Sequence, residues 1–295
     1  MKKVLFATTA LIATAGVASA DITMTGSAAA GFINNGDDNA DIQMYNSVSA
    51  TATMSGATDN GLDFGATLTF RAGDDMDLDV GDLGDNAADG DFTALSATSL
   101  GSIYVSGAFG KLTFDEDGID NLHDDDFSHD VQYDYSAGGL SLSATFDVED
   151  EGDSEEFSVK VGYTTGPLTI TAAADDSNES DTTVAYVVND MLTLSVNYDT
   201  NGQGANESET IVKAAYSAGA LTGHIAIADD EDDEWEVGLG YTAGALTLGA
   251  TFAENDGAGD NEYDLSASYN MGGGMTIDAG ANEAGAFFLG TSMSF

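Results

Sequence analysis

Cysteine is absent from this chain of 295 residues, so neither a disulfide framework nor thiolate chemistry is available to it. Proline occurs once, and no Pro-rich or Ser-rich stretch marks a linker between domains. Basic residues are almost as scarce: six Lys and Arg stand against 52 Asp and Glu, a formal net charge of −46 at pH 7. A general nucleic-acid binder needs a basic footprint, so that class is excluded. Long apolar runs are missing as well. The apolar run from Val4 to Val17 is too short to span a membrane as a helix, and no later segment approaches roughly 18 apolar residues.

What is present begins with a secretory leader. Lys2 and Lys3 precede the apolar run, which ends in Ala18-Ser19-Ala20, a small-residue cleavage site. The expected division is therefore a signal peptide over 1–20 and one domain over 21–295. Loss of Lys2 and Lys3 takes the net charge from −46 to −48. Such acidity can mean disorder, but 42% of the residues are hydrophobic and they alternate with polar ones. The acids also segregate: Asp37-Asp38, Asp147 to Glu156, Asp175 to Asp181 and Asp229 to Glu234 lie between the alternating stretches.

A hairpin unit recurs along the second half. Tyr135-Ser-Ala-Gly138, Tyr163-Thr-Thr-Gly166, Tyr186-Val-Val-Asn189, Tyr216-Ser-Ala-Gly219, Tyr241-Thr-Ala-Gly244 and Tyr269-Asn-Met-Gly272 follow one another at intervals of 23 to 30 residues. After each turn the chain alternates. Leu140, Leu142, Ala144 and Phe146 point one way, and Ser141, Ser143 and Thr145 the other. Period two over about ten residues, with short turns at one end and polar loops at the other, is the pattern of a transmembrane antiparallel β-barrel. Turns near 56–61, Gly110, Gly138, Gly166, Asn189, Gly219, Gly244 and Gly272 make eight hairpins. With a first strand over Ile22–Ile33 and a last over Ala286–Phe295 the count is eighteen, an even number that brings both ends to the periplasmic side. Sixteen results if one weak pair folds into a loop. Six tyrosines one or two residues inside the short turns form an aromatic ring at one membrane interface; cross-strand packing in soluble hairpins is the plainer alternative.

Ser55-Gly-Ala-Thr-Asp-Asn-Gly61-Leu-Asp-Phe-Gly65-Ala66, Val105-Ser-Gly-Ala-Phe-Gly110-Lys111-Leu112, the Tyr-Ser-Ala-Gly turns and the terminal Phe295 resemble the general diffusion porins of α-proteobacteria, the Rhodobacter-type family. The resemblance runs across essentially the whole mature chain. It implies a bacterial outer-membrane location and a homotrimer of sixteen-stranded barrels among lipid and lipopolysaccharide. It also implies a third long loop folded inward to narrow the pore, and a second loop, here Gly73 to Gly101, latching onto a neighbouring subunit. Two features depart from the family: one hairpin more by count, and very few of the basic residues that face its constriction.

In this sequence the third long loop runs from Asp115 to Asp130. It carries Asp115, Glu116, Asp117, Asp120, Asp124, Asp125, Asp126 and Asp130, with no Lys or Arg. Carboxylates in a narrow passage concentrate cations and repel anions; the plainer alternative is solvated loop charge. Three basic residues fall in predicted wall strands: Arg71, Lys160 and Lys213. Each is flanked by residues of the lipid-facing parity and so faces the lumen, because a lipid-facing cation at mid-membrane costs about 2–4 kcal/mol. Three such charges opposite eight acids set up a transverse field; a scattering of ordinary lumen residues is the plainer alternative. Lys111 reads as an interface anchor in a turn.

No cofactor is called for. Weak Ca²⁺ binding to acidic runs such as Asp74-Asp75, Asp124 to Asp126 and Asp229 to Asp233 is the extent of the metal expectation, since none matches an EF-hand loop. His123 and His129 sit in the acidic loop and His224 is expected in the lumen, but no G-x-S-x-G, H-E-x-x-H or P-loop pattern localises a nucleophile or catalytic metal. The expectation is a passive, cation-preferring porin for small hydrophilic solutes, not an enzyme. The rivals are a substrate-specific channel, for sugars for example, a secreted acidic Ca²⁺-binding β-protein and, last, a membrane-anchored enzyme. The first calls for an aromatic track in the lumen, and inward positions are mostly Ser, Thr, Gly and Ala. The second calls for polar residues on both strand faces.

Overall fold

The computed structural model describes residues 20–34, 41–74, 94–123, 128–148, 156–177, 179–200, 208–229, 234–254 and 261–295. These form eighteen strands in one antiparallel sheet that closes on itself. The first six are β1 (Ala20–Asn34), β2 (Gln43–Ala57), β3 (Asp63–Asp74), β4 (Ala94–Gly107), β5 (Gly110–Asp120) and β6 (Ser128–Ala137). Next come β7 (Leu140–Phe146), β8 (Phe157–Thr165), β9 (Leu168–Asp175), β10 (Ser180–Asn189), β11 (Leu192–Thr200) and β12 (Ser208–Ala218). The wall is completed by β13 (Leu221–Asp229), β14 (Trp235–Ala243), β15 (Leu246–Glu254), β16 (Asn261–Gly272), β17 (Met275–Asn282) and β18 (Phe287–Ser294). Each strand pairs with its sequence neighbours, and β1 closes the ring on β18 from Ser27↔Ser294 to Asn34↔Phe287. Beyond β18, Phe295 and Gly26 exchange backbone hydrogen bonds of 2.8 and 3.2 Å. The eighteen strands expected from the turns are those observed.

The local chemistry explains the tight turns. Gly138, Gly166, Gly219 and Gly244 adopt φ near +60°, a conformation that side-chain-bearing residues rarely take. Where Asn189 stands instead of glycine, its Oδ1 accepts from the amides of Met191 (2.8 Å) and Leu192 (3.1 Å), a side-chain substitute for the backbone turn. All eight tight turns lie at one end of the barrel, and β1 starts and β18 finishes there.

Strand parity separates two surfaces. Leu194, Val196 and Val212 are exposed on the outside beside Ile225, Ile227 and Leu239, as a lipid-facing band requires. The six tyrosines share that face and are all exposed. Each pairs with an outward apolar residue: Tyr163 with Leu140 and Ile170, Tyr241 with Leu221 and Leu248. They sit at one level next to the tight turns, the arrangement of an interfacial girdle. The opposite parity is lined mostly by Ser, Thr, Asn, Gly, Ala and charged residues, with the rings of Tyr45, Tyr104 and Phe288 among them, and a barrel of this strand number encloses an aqueous channel.

Two strand boundaries differ from the sequence expectation. The second long connection is shorter than Gly73 to Gly101, because β3 and β4 pair as far as Asp74↔Ala94; residues 75–93 lie outside the described set. The third connection is shorter too. β5 and β6 pair up to Phe114↔Val131, break register over 115–118, then pair again at Ile119↔His129 and Asp120↔Ser128.

Candidate pore lining and constriction

The register break marks where the β5–β6 hairpin leaves the barrel wall. Pairing of β6 with β7 ends at Val131↔Phe146. Past that point His129 turns to the inner face, where its Nδ1 shares a 2.7 Å hydrogen bond with Thr145 Oγ1 on β7. Thr145 is in turn bonded to Ser158 Oγ on β8, which accepts from the Leu122 amide at 2.8 Å. His129 is 1% exposed, and Thr145 and Ser158 are 0% exposed. Two polar residues of lumen parity are thus dry because the hairpin covers them. His123, at the tip of the described hairpin, reaches further round, to Asp175 of β9, Glu179 and Asp199 of β11, at 3.2 to 3.9 Å. The hairpin lies across the inner wall from β7 to β11.

The eight acids of the third connection do not act as one group in this arrangement. Asp115 folds back over Gly118, where a Cβ would lie 2.5 Å from its carboxyl carbon. Asp130 Oδ2 accepts from the Val148 amide at 2.9 Å. Glu116 and Asp120 are exposed; Asp120 sits between buried Ile119 and buried Asn121, on the hairpin face turned from the wall. Asp117 is placed by its backbone in β5. Asp124, Asp125 and Asp126 lie outside the described residues.

The three expected lumen cations all have inward parity, but they occupy different positions relative to the hairpin. Lys160 is exposed beside it, donating from Nζ to the Leu122 carbonyl at 3.5 Å, and does not face it across the lumen. Lys213 approaches Glu236 at 4.0 Å, and Glu236 is also hydrogen-bonded to Nε2 of His224. His224 fits there because Gly238 faces it on β14: a Cβ at that position would lie 2.6 Å from the ring nitrogen Nδ1. Arg71 is exposed on the bare wall, paired across strands with Ser49 and Ala97. Among the described residues it has no carboxylate within 4.0 Å. Of the three, Lys213 stands beside a carboxylate, whereas Lys160 meets the neutral Leu122 carbonyl and keeps its full charge, as does Arg71.

Two inner-face residues escaped the sequence reading. Lys111 is no anchor at the lipid interface. It lies in β5 with the parity of Thr113, pairs with Ser106 and Asp134, and holds its ammonium 5.1 Å from the centre of the Tyr104 ring. The alternation rule applied to Leu112 and Phe114 would have placed it. Tyr45 is 2% exposed and lies flat on the glycine pair Gly31 and Gly290 at the barrel seam, where a Cβ on Gly31 would clash with ring and backbone. Glycine pairs within strands are the signal that could have found it.

A closed barrel with an apolar girdled exterior, a polar interior and a hairpin folded against its inner wall defines a transmembrane channel. The family model for Gram-negative porins matches residues 7–118 and 116–285, and the chain belongs to that family. No curated protein matches the sequence. Among solved structures, a triple mutant of Rhodopseudomonas blastica porin aligns with a TM-score of 0.57 at 17% identity, covering 93% of this chain and 100% of that one. A second blastica porin mutant aligns with a TM-score of 0.59 at 17% identity and the same coverage. At that identity the likeness concerns the barrel. Membership of that family makes this an outer-membrane channel, and the closed barrel is the fold such a channel needs.

Proposed function

We propose that the protein is a passive porin for small hydrophilic solutes that prefers cations to anions. The observation that carries this reading is the imbalance at the narrowed level. Glu116 and Asp120 are exposed on the inward hairpin, two acids against the exposed Lys160 beside it, and Lys213 faces Glu236. Low-dielectric walls focus such an excess of negative charge and raise the local cation concentration. The 52 acidic residues of the chain, concentrated between strands, extend the same bias to the mouth.

The rest of the reading follows the family. The functional unit is a homotrimer in lipid and lipopolysaccharide, with the second long connection contacting a neighbour and no cofactor beyond weak Ca²⁺ at the acidic loops. A leader over 1–20 is removed on export; β1 begins at Ala20, so cleavage there leaves its pairing with β2 from Asp21 onward intact. The test is the reversal potential of the refolded protein in a planar bilayer under a tenfold KCl gradient. Step-like conductance with a cation-selective potential is expected. Conductance without preference would return Glu116 and Asp120 to plain surface charge, and none at all from a folded barrel would overturn the pore.

A further inference from the structure

Among the described residues the lumen holds two histidine–carboxylate clusters, and one of them is closed. At β12–β14, His224 hydrogen-bonds Glu236 and Lys213 stands beside it, so the carboxylate has a donor and a cation. At the hairpin tip the arrangement differs. His123 and Asp175 have side chains 5% and 0% exposed, with His123 Nδ1 3.2 Å from Asp175 Oδ2 and 3.9 Å from Glu179 Oε2. Among the described residues neither ring nitrogen of His123 makes a hydrogen bond, nor does Asp175 Oδ2. Buried polar atoms without partners are costly and call for an explanation.

Local structure aims these atoms at one another. Asp175 Oδ1 is saturated by the Ser177 amide (3.0 Å), the Ser177 hydroxyl (2.7 Å) and the Glu179 amide (3.1 Å). That turn fixes the carboxylate and leaves Oδ2 directed at the imidazole. On the other side, the Leu122 amide is tied to Ser158 and the His123 amide to Asn121 Oδ1 at 2.9 Å, so the ring is held from its own backbone. An imidazolium would present N–H donors to these oxygens, yet the close contacts lack hydrogen-bond geometry. A shared cation resolves this. Ligands on adjacent vertices of an ion bound at about 2.0–2.2 Å stand about 3–3.5 Å apart and point at the ion, not at each other. The candidate donors, one each from His123, Asp175 and Glu179, all lie within 4.8 Å of one another.

We propose that His123 Nδ1, Asp175 and Glu179 form a site for a divalent first-row transition ion of the Zn²⁺ class, which staples the inward hairpin to β9. One imidazole with two carboxylates favours such an ion over Ca²⁺, whose sites are all oxygen. The other ring nitrogen, Nε2, faces Asp199 Oδ1 at 3.6 Å, the place of the outer carboxylate that fixes the tautomer of a metal-bound histidine. The site goes beyond the pore reading and does not depend on it, since binding is measurable whatever passes the channel.

The test uses the full folded barrel in detergent micelles, titrated with Zn²⁺ by calorimetry and with Co²⁺ by visible absorption. Excess Ca²⁺ occupies the acidic loops throughout. One saturable site per chain is expected, with a Co²⁺ d–d band. His123→Ala and, separately, Glu179→Gln should each weaken it at least tenfold, while His224→Gln leaves it unchanged. Absence of a saturable site in the unsubstituted protein overturns the proposal whether or not the variants fold. Complete displacement by Ca²⁺, or equal loss in His123→Ala and His224→Gln, overturns it as well.

Discussion

The inner wall from β7 to β11 and the inner wall from β12 round to β4 are written in the same alternating pattern, yet they have different fates. On the first, Thr145 and Ser158 face inward and are 0% exposed; on the second, Arg71 faces inward and is exposed. The difference is the β5–β6 hairpin, which lies on one wall and leaves the other open. Alternation therefore reports which way a side chain points, but not whether it meets water. Inside a barrel a hydroxyl serves as pore lining or as a seat for a loop. The covered wall uses Thr145, Ser158 and Lys160 as a seat for Leu122 and His129.

The comparison breaks most sharply if the seat is removed. Thr145→Val with Ser158→Val removes the hydrogen bond between His129 Nδ1 and Thr145 and the acceptor of the part-buried Leu122 amide, at up to about 1–3 kcal/mol for each bond lost. Barrel pairing does not depend on these hydroxyls, so the chain should still fold and resist denaturation in detergent. The hairpin should leave the wall, and single-channel conductance should rise with larger open-state noise. Unchanged conductance in the folded double variant would show that the hairpin does not narrow the pore.

That seat was not legible in the sequence, and the reason is physical. Turn glycines, tyrosines and alternation are local signals, so they yielded eighteen strands, the girdle and the inward parity of Arg71, Lys160 and Lys213. Contact between Leu122 and Ser158 spans 36 residues and joins a loop to a wall strand. Nothing in the polar residues of β8 distinguishes Ser158, under the hairpin, from a serine in water. The eight acids of the third connection looked equivalent for the same reason; Asp115 lies folded over Gly118, and Asp130 accepts from the Val148 amide. Lys111 is a different case: parity was available at that position, and its nearness to a turn outweighed it.

Charge on the hairpin gives the next largest effect. Glu116→Gln with Asp120→Asn should move the reversal potential toward zero at low salt while leaving conductance steps nearly unchanged. At about 1 M salt the Debye length falls to about 3 Å, and the difference between variant and parent should shrink with it.

The smallest effects come from the bare wall, and their order is informative. Arg71→Gln removes an exposed cation with no described carboxylate beside it, so cation preference should rise modestly. Lys213→Gln should shift the reversal potential less, because its charge already stands 4.0 Å from Glu236, which keeps its bond to His224. Both variants leave the hairpin seat untouched, so conductance should hold. Equal shifts would mean that Glu236 does not screen Lys213 in the open pore, and that the bare wall carries two effective cations. A larger shift from Lys213 would move the electrostatically sensitive level of the pore from the Arg71 face to β12–β14.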